Sequence, residues 1–128
     1  MVWAITCAER VLPLSGEKPD ERLEHALRVA KAWAQGNAPT GTAMKASVTA
    51  HAVARESSDP VFIAVARSVG QAVATAHMAD HALGAAGYAL KAVKSAGIST
   101  DTERQWQDEH MPPEIRDLVL SARKSRGI

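Results

Sequence analysis

The sequence predicts an all-α fold: a single-domain bundle of about six to seven helices over residues 1–128, with a buried central antiparallel helix hairpin. Three observations carry that expectation. Apolar residues recur at spacings of three and four along the chain, and no segment alternates as a half-buried strand does. The background is rich in alanine, the best helix former, with β-branched residues only scattered through it. Residues 61–90 carry just two formal charges, Arg67 and Asp80, so this stretch belongs in the interior.

The elements follow in order. A first helix is expected over residues 2–12, with Trp3, Cys7, Val11 and Leu14 on its stripe and Pro13 with Ser15-Gly16 ending it. A second, over 20–35, has Pro19 at its entry and the acidic Asp20, Glu21 and Glu24 at the positive end of its dipole. Gly36 follows as its C-terminal cap, and its buried face reads Leu23, Ala26, Leu27, Ala30, Trp33 and Ala34. The third, over 42–56, places Met44, Val48, His51 and Ala52 on one face. In Ser57-Ser58-Asp59-Pro60 the chain breaks and restarts, with Asp59 as N-cap and Pro60 as the first residue of a fourth helix. That helix shows two apolar stripes, Phe62-Ala66-Val69-Val73-His77 and Val61-Val65-Val69-Ala72, which means burial on two sides.

No proline marks the end of the fourth helix. Continued unbroken from 60 to 96 it would be roughly 55 Å long at about 1.5 Å per residue, whereas a compact chain of this size has a radius of gyration of only about 14 Å. The helix must fold back. The break is expected at residues 78–80, with Asp80 capping a fifth helix that runs to about residue 95 before Gly97. Gly70, Gly84 and Gly87 would let the backbones of this hairpin approach closely. Thr100 with Glu103 forms a capping-box pattern opening a sixth helix over 101–110 that contains Trp106. Pro112-Pro113 ends it and starts a seventh, whose buried face is Ile115, Leu118, Val119 and Ala122. Short connections favour antiparallel neighbours, and no fixed-period repeat is present.

Composition narrows the function classes. The chain has 128 residues, 46% apolar and 23% charged, with a formal net charge of +1, too little to call for nucleic acid or an anionic membrane as partner. The basic residues near the end, Arg116, Arg123, Lys124 and Arg126, read as a solvated face. A single cysteine, Cys7, excludes an intrachain disulfide and suits a reducing cytoplasm. No signal-peptide pattern opens the sequence. Residues 61–79 imitate a membrane span, but their alanine content and the central Arg67 and Gln71 mark a buried helix.

The chemistry-bearing residues are few. His77 and His81 would share a face at i, i+4 if the fourth helix ran one turn further. With His51 as a third nitrogen and Asp80 or Glu9 as an oxygen, they make a candidate metal site. The expected break between His77 and His81 favours a different role, in which the imidazoles and Asp80 hydrogen-bond backbone groups where two helices meet. Cys7, on an apolar stripe, reads as a small core residue in preference to a nucleophile. No catalytic triad order, phosphate-binding glycine loop, paired-carboxylate motif or cofactor signature is present. Trp3 and Trp33 lie on apolar stripes. Trp106 sits in a polar helix, either at the core edge or as a partly exposed interface anchor, and Glu103, Asp108 and Glu109 beside it would suit a basic partner or form a solvated face.

Several segments together resemble one family. They are Cys7-Ala8-Glu9-Arg10-Val11-Leu12-Pro13-Leu14, Ala32-Trp33-Ala34-Gln35-Gly36, the run from Ala74 through His77-Met78-Ala79-Asp80-His81 to Val93, residues 103–107, and Pro112-Pro113-Glu114-Ile115-Arg116-Asp117-Leu118-Val119-Leu120. In this order they resemble the small all-helical bacterial proteins of the Imm-5-like immunity family. The resemblance implies an all-α fold and a cytoplasmic, non-enzymatic protein that binds and blocks a cognate toxin. Members commonly carry more residues ahead of the Cys-Ala-Glu motif, so the resemblance implies a shortened first helix or a start further upstream. It assigns no toxin-contacting residue. Two other readings stand beside it: a metal-binding helical protein with a hydrolase activity, using His51, His77 and His81, and a structural helical scaffold or oligomer, such as a homodimer, with the exposed faces of the first and seventh helices as its interface.

Overall fold

A computed structural model describes residues 2–16, 18, 20–75, 81–113 and 116–126, with the backbone alone at residues 118, 122, 125 and 126. Among these residues there are seven α-helices and no strand. Helix α1 (Val2–Val11) runs into a 3₁₀ turn, Leu12–Ser15, where Pro13 removes a backbone donor. Helix α2 (Glu21–Ala34) starts at Asp20, whose carboxylate accepts from the Arg22 amide at 2.8 Å. It stops at Gly36, whose φ of +79° lets the Asn37 amide turn back to the Ala32 carbonyl at 2.7 Å. Helix α3 is Thr40–Arg55 and starts two residues earlier than expected. Helix α4 (Pro60–Ala74) opens as the sequence predicts, with the Asp59 carboxylate accepting from the Val61 amide and Pro60 in the first turn.

Helix α5 (His81–Ser95) lies antiparallel to α4. Ser68 of α4 meets Ala85 of α5, and Gln71, further along α4, meets His81, earlier in α5. The chain therefore folds back as length required. Helix α4 ends at Ala74, earlier than predicted, and Thr75 tightens the last turn by donating its hydroxyl to the Ala72 carbonyl at 2.7 Å. His77, the expected break at 78–80 and the Asp80 cap fall on residues outside those described. Helices α6 (Thr100–Glu109) and α7 (Arg116–Arg126) complete the chain. The expected capping box is displaced by one residue. Ser99 caps α6 through the Thr102 amide, which releases Glu103 to point inward.

Helix α4 is the centre of the bundle and packs against α1, α2, α3 and α5. Its residues Ala64, Val65, Ala66, Val69, Ala72 and Val73 are buried in one cluster with Trp3, Ile5, Leu23, Leu27, Val53, Leu83, Val93 and Val119. Val119 confirms part of the predicted face of α7. Ile115 and the side chains of Leu118 and Ala122 lie outside the described set. On α2, Val29 joins the buried face, Trp33 is only partly covered, and Ala34 is exposed.

Helix α3 departs from expectation in an informative way. Its buried face is Ala43, Ala46, Ser47, Ala50, Val53 and Ala54, and the face carrying Met44 (43% exposed) and Val48 (65% exposed) looks outward. Close approach to α4 is the cause. The Ser47 hydroxyl donates to the Gly70 carbonyl at 2.9 Å, and on the far side of α4 the Ser68 hydroxyl donates to the Ala85 carbonyl at 2.7 Å. Contacts this close need small residues between the helices, so α3 presents mainly alanine and serine, with Val53, to the core and turns Met44 and Val48 to solvent.

Candidate functional site

The histidines singled out by sequence lie where α3, α4 and α5 come together. His51 projects from α3 over Gly70 of α4, where an added methyl group would come within 2.6–2.8 Å of the imidazole. Arg67, one turn earlier on α4, donates from Nη1 to His51 Nδ1 at 2.8 Å. A guanidinium can only donate, so Nδ1 accepts and the ring is neutral with its proton on Nε2. Burial, followed by the charges of Arg67, Arg55 and His81, holds the His51 pKa below its ordinary value. On the next interface the pattern repeats: His81 of α5 donates from Nδ1 to the Gln71 carbonyl oxygen at 2.6 Å, and Gln71 occupies the space above Gly84. Thus Gly70 and Gly84 make room for polar side chains between the helices. His51, Arg67, Gln71, Val48 and Arg55 line an open cleft of about 420 Å³.

These placements bear on the metal reading. Among the described residues no three His, Cys, Asp or Glu side chains come together to hold a metal ion. His77 and Asp80 lie outside those residues. Glu9, the other oxygen considered, is ion-paired with Lys31 at 2.6 Å. The guanidinium on His51 Nδ1 also takes that nitrogen's lone pair and opposes a second cation. Cys7 is fully buried, and burial pushes its thiol up to about 12, so it stays protonated at neutral pH and is no nucleophile.

The Trp106 face is built differently from its sequence description. Glu103 is only 7% exposed and accepts from Arg10 Nε on both carboxylate oxygens at 2.9 Å. That pairing removes Glu103 from the outer face, where the sequence placed it either solvated or facing a basic partner. Arg10 also stacks over the Trp106 ring, 4.3 Å from its centroid, and His110 stacks against the same ring at 4.1 Å. Trp106 is therefore a half-buried residue at the core edge, filling a sandwich within the molecule. Asp108 pairs with Arg123, and Glu109 accepts from Gln105. Arg123 was expected on a solvated face, yet it is 6% exposed, because it also donates to Gln107 and lies over the Trp3 ring. Gln107 is completely buried and joins four helices: its side chain donates to the Ala86 carbonyl and accepts from Arg123, and its own carbonyl accepts from Trp3 Nε1 at 2.9 Å.

A family model described as Imm-5 like putative immunity protein matches residues 1–114. The chain belongs to that family. No curated protein and no solved structure matches the chain. The Imm-5 like match takes in α1 to α6 and stops short of α7, so the resemblance read from residues 115–120 lies beyond it. Within the matched span, sequence reasoning picked out His51 and His81 but missed Arg55, Arg67 and Gln71, which stand beside them. The available signal was Arg67 itself, one of two charges in a thirty-residue apolar run. A charge kept there needs a polar neighbour or an opening to solvent; this one has both.

Proposed function

We propose that this chain is an immunity protein, a non-enzymatic binding module that neutralises a cognate bacterial toxin by direct contact. The observation that carries the reading is the family match over residues 1–114. The side chains with reactive potential support it, because they serve the bundle's own structure. Cys7 is buried and protonated, Glu103 is locked to Arg10, and His51 is held neutral by Arg67. Such a module acts by covering a working surface of the toxin, with most of the affinity coming from a few anchors. On this reading the chain works in the cytoplasm and gives up part of its exposed surface to the toxin.

Co-expression with the toxin domains encoded beside its gene tests the proposal. The expected result is restored growth with one of them and co-elution of the two chains in equal amounts. A chain that neither protects nor co-purifies with any of them overturns it. The metal-binding alternative is decided by metal analysis of tag-free protein: stoichiometric zinc, nickel or iron that disappears in His77→Ala would replace the immunity reading.

A further inference from the structure

Arg10, Arg22 and Arg123 each reach across to another element and end on a carboxylate, of Glu103, Glu56 and Asp108 respectively. Arg67 is half-buried and reaches across to α3 as they do, but it ends on a neutral imidazole. Among the described residues neither Arg67 nor the neighbouring Arg55 has a carboxylate partner, and no acidic residue lines their cleft. Among the described residues the charged groups that act on His51 are all basic: Arg67, Arg55 and His81. Within the described residues the cleft is therefore a positive depression without a counter-charge. Val48 and Met44 rise beside it, one helical turn apart on the outer face of α3, and both are exposed. A half-buried guanidinium flanked by exposed apolar side chains has the make-up of the centre of a protein interface. A groove that tracks phosphates would need a longer run of cations.

We propose that this cleft is the docking surface for an acidic face of a protein partner, whose carboxylate pairs with Arg67 and Arg55 while an apolar side chain beside it covers Val48 and Met44. The proposal takes its class of partner from the immunity reading and adds the surface and its chemistry. The acidic residues beside Trp106, Glu103, Asp108 and Glu109, make a poorer surface, because each already has a partner within the chain. The broad groove lined by Lys91, Lys94, Ile98 and Arg104 is also basic but contains no half-buried guanidinium, and it serves as the control.

Two measurements decide the matter. Against the toxin that co-purifies, Arg55→Glu and Val48→Asp, both at exposed positions, should each raise Kd by about 30-fold or more. Arg67→Gln, checked for an unchanged melting temperature, should do the same, and Lys94→Glu should change Kd by less than about 3-fold. Equal affinity across the set overturns the surface and leaves the immunity reading standing. The second measurement needs no toxin: two-dimensional NMR of the free chain titrated with hexaglutamate, hexalysine or a short single-stranded oligonucleotide. Hexaglutamate alone should shift the Arg67 and His51 side-chain signals, and Arg55→Glu should abolish the shift. No shift at the cleft, an equal shift at Lys94, or a larger one with the oligonucleotide overturns the proposal. If no neighbouring toxin binds the wild-type chain the immunity reading fails, and the peptide titration still decides the cleft.

Discussion

His51 has a guanidinium on its Nδ1 and a glycine beneath its ring, and the first of these depends on the imidazole being neutral. Protonation would place a hydrogen on Nδ1 facing the Arg67 donor and add a charge among Arg67, Arg55 and His81. The folded-state pKa is therefore depressed below the unfolded value of about 6.5. Between the two values the unfolded chain binds more protons, so the contribution of His51 to stability is fully present above pH ~6.5 and is lost as pH falls through the folded pKa. Urea midpoints of the wild type should thus fall between pH 7.5 and 5 by more than those of His51→Gln, and parallel slopes would show that the ring is not tuned in this way. The sequence made His51 and His81 visible as candidates, since histidines are rare in an apolar background. It could not show what they touch. Arg67 lies sixteen residues from His51, and the pairing depends on the angle at which α3 crosses α4.

At the scale of the helix, Gly70 and Gly84 are sockets for side chains of a neighbouring element, and this gives a sign that intrinsic propensity alone gets wrong. Gly→Ala within a helix ordinarily stabilises by about 0.8–1 kcal/mol. At Gly70 the new methyl would meet the His51 ring at 2.6–2.8 Å, displacing it and breaking the Arg67 bond. The expected net effect is a loss of about 1–2 kcal/mol, as for other overpacked sites. In a His51→Ala background the same change should stabilise by roughly 0.5–1 kcal/mol. A double-mutant cycle by chemical denaturation reads this coupling, and additive changes would mean the ring moves aside at no cost. The end of α2 and the start of α4 were legible in the sequence because they depend on residues a few positions apart: Gly36 with Ala32 and Asn37, and Asp59 with Val61. The orientation of α3 was not. Both of its faces are rich in apolar atoms, and the spacing needed by the Ser47 bond to Gly70, which hydropathy does not record, decides which one turns inward.

For the whole molecule, α4 and α5 form the central hairpin and α6 and α7 close one side with polar contacts. This is where sequence reading went furthest astray, because the inward face of α6 is Glu103 and Gln107. Their burial is stable only because Arg10 arrives from α1 and Arg123 from α7, and no local pattern announces such distant partners. Arg123→Ala would leave the Gln107 side-chain Oε1 buried without this donor and Asp108 without its cation. A loss of about 2–3 kcal/mol is expected, with hydrogen exchange of the α7 amides rising before that of α4. Arg123→Lys should recover only part of it, since one ammonium cannot span both acceptors as the guanidinium fork does. A loss below about 0.5 kcal/mol in Arg123→Ala would show that α7 is held by Val119 and its neighbours alone. The division of α3 into an inner face of alanine, serine and Val53 and an outer face of Met44, Val48 and Arg55 has one more consequence. Residues 44, 48 and 55 can drift through many side chains while the inner register stays fixed, so the chemistry of this outer face can change without refolding the protein that presents it.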